Sequence, residues 1–362
     1  MKLEMFQRIL AFLLILCASN CIKLANSPTD LSTLLTLALS PGSAPGRFVA
    51  FAATTNRRAE SSGNGSWSTS VTFTGPSQIV RVATTEGSSL VGLDGATVGT
   101  IWRSSDAGLT WTSVSGLGAA ALQQVTACGN KVLVLPVAGA NVTGYYSSNG
   151  GASFTPVTIR ASGTFTLGYA VCVENTFYVS YSGSATNVNR STDGINWTQA
   201  STAPAAAPIV MAGSGSNVYG IPSGASAAFT RSTDGGVNFS AGESVAGFRG
   251  DFGLFGGATV MNGVAHTAMW NQGPQCLFRR SNFGLGGSSS NIQTCVFSTT
   301  SSQIRRMENT AGVLVAVGNG TAGANDAYII YRSTDAGVTF ATDTLPAGLP
   351  TIGFFSDVVV VH

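Results

Sequence analysis

Four aspartates stand in nearly identical phrases: Asp106 in WRSSDAGLTW, Asp193 in NRSTDGINW, Asp234 in TRSTDGGVNF and Asp335 in YRSTDAGVTF. Each follows a serine by two residues, precedes a glycine, and closes on an aromatic. A carboxylate beside a hydroxyl can serve as an acid or base, or accept hydrogen bonds from the N–H groups of a tight turn. A fifth copy separates the two roles. In YYSSNGGASF an amide, Asn149, takes the place of the carboxylate. Asn keeps the acceptor oxygen and loses the acid–base chemistry, so the phrase reads as a brace.

The spacing of the phrases names the element they brace. Their closing aromatics, Trp111, Phe154, Trp197 and Phe239, lie 43, 43 and 42 residues apart, and Trp67 lies 44 before Trp111. From Phe239 to Phe340 is 101 residues, two periods with an insertion, and RRSNFGLGG at 279–287 reads as a decayed copy. A period of 40–45 residues is the signature of a propeller blade. Each unit holds four short runs of β-branched and aromatic residues split by Gly, Ser and Asp turns, as in IVRVATTE, SLVGL, TIWRSS and WTSVS. The expectation is a seven-bladed β-propeller of four-stranded antiparallel blades, with six blades as the alternative if Trp67 is not a true repeat. The opening GRFVAFAA (46–53) reads as a second strand and the final FFSDVVVVH (354–362) as a first strand. The C-terminal strand is therefore expected to close the first blade, which leaves no unpaired inner edge.

The phrase resembles the Asp-box, or BNR repeat, S-x-D-x-G-x-x-W. It matches at Ser104, Asp106, Gly108 and Trp111, at Ser232, Asp234, Gly236 and Phe239, and at Ser333, Asp335, Gly337 and Phe340. Ser191, Asp193, Gly194 and Trp197 form a shorter version, and Ser147, Asn149, Gly151 and Phe154 the amide version. The resemblance covers residues 46–362 and implies a turn between third and fourth strands, on the face opposite the usual ligand pocket. Gly supplies positive φ there, and the aromatic covers the hairpin. The arginine before many boxes (Arg103, Arg190, Arg231, Arg280, Arg332) reads as a third-strand residue that covers its blade or meets a neighbouring box.

Asp-box propellers include sialidases, which hold a substrate carboxylate with three arginines and use a Tyr–Glu pair and a separate Asp. Their first arginine sits in an Arg-Ile-Pro phrase; here the region reads GRFVAFAATTNRRAE, with Arg47 in a roughly similar place. Arg57, Arg58 and Arg249 are expected near the opposite mouth, and Arg81, Arg305 and Arg306 on inner strands. An arginine cluster can bind an anion or sugar acid, but scattered solvated charges are the preferred reading. Acids expected at the mouth are few: Asp94, Glu243, Asp251 and Asp326. Glu86, Glu174 and Glu308 are expected on the brace face. His362 is terminal, and His266 in VAHTAMW reads as packed. No metal-ligand spacing is visible, and no catalytic residue, metal or cofactor is expected.

Only 9% of the 362 residues are charged, the formal net charge is +2, and no basic run follows the leader. A nucleic-acid partner would need a basic stripe, so that class is set aside. MKLEMFQRILAFLLILCASNC has charged residues and then a short apolar core, Ile9 to Leu16, of signal-peptide length. It resembles a bacterial lipoprotein signal with Cys21 as the acylated residue, although Asn20 departs from the usual small residue before the cysteine; looser versions occur in spirochaetes. The expected organisation is a signal peptide at 1–20, a tether at 21–45 and the propeller at 46–362.

Four cysteines remain. Cys276 and Cys295 fall on the third and fourth strands of a blade that has lost its box, making a candidate disulfide. Cys128 and Cys172 occupy matching places on adjacent first strands; pairing and burial as small hydrophobes both stay open, with burial preferred. The functional expectation is a non-enzymatic binding or scaffold propeller, monomeric, exported to the outer membrane or cell surface by a lipid anchor, with a protein or glycan partner; ordinary secretion, leaving the protein periplasmic or secreted, is the alternative. A divergent sialidase-type hydrolase is the alternative. An assembly factor is the third reading, since the repeat also resembles photosystem II assembly propellers.

Overall fold

The computed structural model describes residues 46–362, apart from 96–98, 115–116, 118–120, 140, 162–164, 184–186, 205–206, 223–227, 241–242, 245–256, 269–277, 282–291, 295–302 and 320–326. Among the described residues the strands pair into seven antiparallel sheets. Sheet 1 runs Phe355–Val361, Arg47–Ala52, Arg57–Ser61, Val71–Thr72 from its inner to its outer edge. Sheet 2 follows with Arg81–Thr84, Leu90–Leu93, Ile101–Ser104 and Thr112–Val114, and sheet 3 with Leu122–Cys128, Lys131–Pro136, Val142–Ser147 and Thr155–Arg160. Sheet 4 is Phe165–Val173, Thr176–Gly183, Asn187–Ser191 and Thr198–Gln199, with Ala138–Gly139 added against its inner strand. Sheets 5, 6 and 7 begin at Pro208–Ser214, Ala258–Met261 and Gln303–Thr310 and step outward in the same way.

The inner strands touch in succession around an axis, and Gln303–Thr310 meets Phe355–Val361, so the ring closes through the C-terminal strand. That strand pairs with Arg47–Ala52 from Arg47↔Val361 to Ala52↔Phe355. It ties the two ends of the domain together, as the terminal phrases imply.

Local turn chemistry explains the sheets. The first hairpin of several sheets turns on two residues with positive φ, such as Glu174 (46°) and Asn175 (63°), or Ala311 (49°) and Gly312 (80°). Such mirror-image turns match the twist of the strands they join. The core lies between sheets. Val49 and Phe51 of sheet 1 pack with Phe73, Ile79, Val82, Leu90 and Trp111; Phe51 and Trp111 meet edge to face at 5.9 Å. Cys128 and Cys172, on adjacent inner strands, are joined by a disulfide with their Cα atoms 5.5 Å apart. This corrects the preference for two buried thiols. Inner strands converge at the axis, and one repeat period places both cysteines at the same level there. Cys276 and Cys295 lie outside the described residues, as do Cys21, the leader and the tether. Among the described residues no helix is long and apolar enough to cross a membrane.

Candidate functional site

Ser104 donates to Asp106 Oδ1 at 2.7 Å and accepts the Gly108 N–H at 2.8 Å. The same Oδ1 accepts the N–H groups of Leu109 and Thr110 at 3.0 and 2.9 Å, and Oδ2 the Thr110 hydroxyl at 2.6 Å. Trp111 closes the turn by donating Nε1–H to the Gly108 carbonyl at 3.0 Å. The turns at Asp193, Asp234 and Asp335 repeat the serine and carboxylate bonds. At Asn149 the amide oxygen accepts the Ser153 N–H at 3.0 Å, while its NH2 donates to the Ser153 hydroxyl at 2.9 Å. The amide thus reverses one hydrogen bond and keeps the turn.

These bonds stabilise the ionised carboxylates. The Asn238 N–H, the Ser232 hydroxyl and the Asn238 amide hold Asp234 near 2. Partial burial pushes Asp335 upward, but the Thr339 hydroxyl and N–H with Ser333 outweigh it and leave it near 2 as well. Asp193 is drawn down by the Asn196 side chain, then by the N–H groups of Asn196 and Ile195. An acid held this far down is a poor proton donor at neutral pH.

Each turn also grips the neighbouring sheet. Arg103 Nε donates to the Gly150 carbonyl at 3.0 Å, and Arg190 Nη1 to the Gly235 carbonyl at 2.9 Å. Arg103 and Arg190 therefore meet the box of the next sheet, whereas Arg231 Nη2 donates to Asn217 Oδ1 at 3.3 Å and Arg332 Nε to Asp343 Oδ1 at 2.9 Å, both within their own sheets. Arg58, expected at the mouth, instead sits buried in sheet 1 and reaches the Ala107 carbonyl at 2.8 Å. Glu60 stands where the arginine of other copies stands, so Arg58 takes its place two residues earlier on the same strand side. Glu60 pairs with Arg58 and, at 2.7 Å, with Arg47. Arg47 is thus an exposed ion-pair partner at the end of its strand beside Val361. The box glycine has a second duty. A Cβ on Gly108 would stand 2.8 Å from the Phe51 ring, and one on Gly337 would stand 2.5 Å from the His266 ring. His266 is buried against this turn, which accounts for its place in the sequence.

On the axis, a cavity of about 300 Å³ is lined by the inner strands of all seven sheets. Most of its wall is small and apolar; Tyr169, Arg306 and Glu308 are the large polar groups. Glu308 lies within Gln303–Thr310, on this wall, and not on the brace face that a place after a first strand implies. Arg306 donates Nε–H and Nη2–H to Glu308 Oε1 at 3.0 and 2.8 Å and stands 3.6 Å from Asp357 Oδ1. Asp357 Oδ2 accepts the Val82 N–H at 2.9 Å, so this one carboxylate of the closing strand touches sheets 7 and 2. Burial raises the Asp357 and Glu308 carboxyls, with Arg306 pulling both back. Burial lowers Arg81, and Asp357 opposes it.

Of the remaining candidates, Arg57 donates to the Ser70 carbonyl at 3.3 Å, and the Arg305 guanidinium lies 4.5 Å from the Phe354 ring centre. Asp94 is half-buried in the turn after Leu90–Leu93, Glu86 is exposed in a first hairpin turn, and Glu174 Oε1 accepts the Gly215 N–H at 3.2 Å. Arg249, Asp251 and Asp326 lie outside the described residues, as do the side chains of Glu243 and Arg280. Among the described residues no cluster of three potential ligands could hold a metal ion. The Arg306–Glu308 pair escaped the sequence reading, although spacing by two on a strand puts both on one side.

The family described as the DUF6242 beta propeller domain matches residues 109–249. A search of curated proteins found no match. Solved structures agree in fold. A Lactobacillus plantarum protein is 13% identical with a TM-score of 0.64, covering 88% of this chain and 100% of its own. YCF48 bound to D1 peptide is 12% identical with a TM-score of 0.55, covering 88% and 95%. An ancestral GH74 enzyme is 16% identical with a TM-score of 0.54, covering 80% of this chain and 42% of that one. The domain is a β-propeller. Its blades are four-stranded and antiparallel, and at these identities the likeness carries the fold alone.

Proposed function

We propose that this is a non-enzymatic binding propeller of seven blades, five of them carrying an Asp-box, exported, lipid-anchored at Cys21, and presenting a face to a protein or glycan partner. The observation that carries the reading is the engagement of its arginines. Arg306 is held by Glu308 and Asp357, Arg58, Arg103 and Arg190 by carbonyls of the next sheet, and Arg305 by Phe354. A site that grips a sugar carboxylate needs guanidinium groups turned toward the ligand. Here these groups hold blades to one another or neutralise the axis. The description of the YCF48 structure has that propeller bound to a peptide, which fits a protein partner.

The reading is tested by incubating the purified full chain with a fluorogenic sialoside and by titrating the unlabelled sugar. Absence of turnover is expected. Turnover that disappears in Arg306→Lys would replace the reading with a divergent sialidase. The anchor is tested separately, by the mass of the mature N-terminal peptide and its change in Cys21→Ala.

A further inference from the structure

The box turns do something besides bracing. Their aspartates fix the backbone N–H of the residue after the glycine: Leu109 at 3.0 Å, Ile195 at 2.9 Å and Val338 at 3.1 Å. With the backbone pinned, the side chains stand in solvent. Leu109 is 40% exposed, Ile195 58% and Val338 39%. The corresponding residues in the other two copies are Ala152 and Val237, both apolar. Three of the seven large hydrophobic residues exposed among the described residues thus occupy one position of one repeated turn.

The ends of the propeller emerge on this same face. Each box turn lies beside the first hairpin turn of its own sheet: Ala107 N–H donates to Ser88 O and Gly150 N–H to Asn130 O. In sheet 1 the chain termini take the place of that hairpin, with Arg47 opposite Val361. Gly46 lies against Val360, His362 and Thr310, and the His362 N–H donates to Gly87 O, in the first hairpin turn of sheet 2. The chain from Cys21 therefore joins the propeller on the face that carries Leu109, Ile195 and Val338. Twenty-odd residues with random-coil statistics, the length from 22 to 45, would span roughly 25–30 Å. An acyl group on Cys21 would hold that face, rather than the opposite one, within reach of a bilayer.

We infer that the box face is a membrane-facing surface, on which Leu109, Ile195 and Val338 touch the headgroup region of a lipid bilayer. The inference rests on the lipid-anchored reading above. The contact is shallow, because the aspartates of the same turns remain charged. Their second oxygens are covered by Thr110, Asn196 and Thr339, so the charge is wrapped within the turn and the apolar tip projects beside it. Apolar side chains that leave water at an interface add binding of their own to that of the acyl chains.

The test uses the full-length acylated chain in vesicles of phosphatidylethanolamine with a minor share of phosphatidylglycerol, some of the lipids being brominated near the headgroup. A reporter tryptophan is placed on the box face by Ile195→Trp. A control reporter is placed by Val137→Trp, an exposed position in the connection after the second strand of sheet 3, at the opposite end of the blades. Quenching over the parent protein is expected for Ile195→Trp and not for Val137→Trp; equal or reversed quenching overturns the inference. The acyl mass is read on the same sample. If acylation is absent, the anchored reading fails by itself, and flotation of the unacylated full chain decides the surface. In the unacylated Cys21→Ala full chain, combining Leu109→Ser, Ile195→Ser and Val338→Ser should lower vesicle partition by about tenfold; unchanged partition overturns the inference.

Discussion

Trp67 and Asp343 lie 276 residues apart and meet at 3.0 Å, the indole N–H donating to Oδ2. Arg332 Nε–H donates to Oδ1 of the same carboxylate at 2.9 Å. This is the seam between sheets 7 and 1, where the box of sheet 1 has decayed to SSGNGSW and Arg332, lying against Gly65 of that turn, donates to a carboxylate instead of a turn carbonyl of the kind Arg103 and Arg190 grip. The carboxylate, almost fully buried, replaces that grip. Asp343→Ala would leave two donors without their acceptor. Breaking a buried pair from one side costs about 3–5 kcal/mol, so a fall of about that size in urea unfolding free energy is expected. Asp343→Asn keeps an acceptor for one donor and should cost less. Equal unfolding curves for wild type and Asp343→Ala would show that the seam is held by other contacts.

Gly108 and Gly129 both have positive φ, 84° and 59°, and so share the backbone strain of any Gly→Ala change. They differ in surroundings. A Cβ at Gly108 meets Phe51 at 2.8 Å, while one at Gly129 meets nothing within 4 Å. Gly129→Ala should cost about 1 kcal/mol from the backbone alone. Gly108→Ala adds overpacking between sheets 1 and 2, about 1–3 kcal/mol more. Thermal melts of the two variants side by side test whether the box glycine is an inter-blade contact or only a turn residue.

What was legible in the sequence was whatever repeats locally. The period between Trp111, Phe154, Trp197 and Phe239 located the sheets because each unit carries its own turns and its own alternating strands. Asn149 disclosed the bracing role because an amide can stand for a carboxylate only in hydrogen bonding. The inner-ring chemistry was not legible. Arg306 and Glu308 share the strand Gln303–Thr310, but Asp357 reaches them only through closure of the ring, and Glu308 falls on the axis wall rather than the brace face because that strand runs past it. Asp343 gave no signal at all, since its partner Trp67 is almost the whole domain away.

The Cys128–Cys172 bridge closes a separation of 44 residues. By chain entropy, a loop of that length is worth about 4 kcal/mol at most. Reduction, or the double change Cys128→Ser with Cys172→Ser, should lower the melting temperature by several degrees without abolishing folding, because the hydrophobic contacts between sheets 3 and 4 remain. Alkylation before and after reduction, read by mass, checks the bond itself. Thiols that react before reduction would remove it.

The box carboxylates set a direction for acid sensitivity. Asp234 and Asp335 lie near 2 in the folded protein, against about 3.9 for an unfolded aspartate. A folded-state value below the unfolded one means that the stabilisation is complete above about pH 4 and is lost as pH falls through the folded value, toward 2. Asp357 and Glu308 act oppositely: burial raises them, so their contribution is most favourable in acid and weakens as pH rises through the ordinary carboxylate range. The box aspartates are more numerous, Asp234 and Asp335 exposed and Asp106 and Asp193 half-buried, and their loss should dominate below pH 4. Asp335→Asn copies the natural arrangement at Asn149. It should fold at neutral pH with modestly lower stability and show a shallower decline between about pH 4 and 2 than the wild type. Parallel declines, measured by urea unfolding at stepped pH, would mean that the carboxylate of the turn carries no charge-dependent share of the stability.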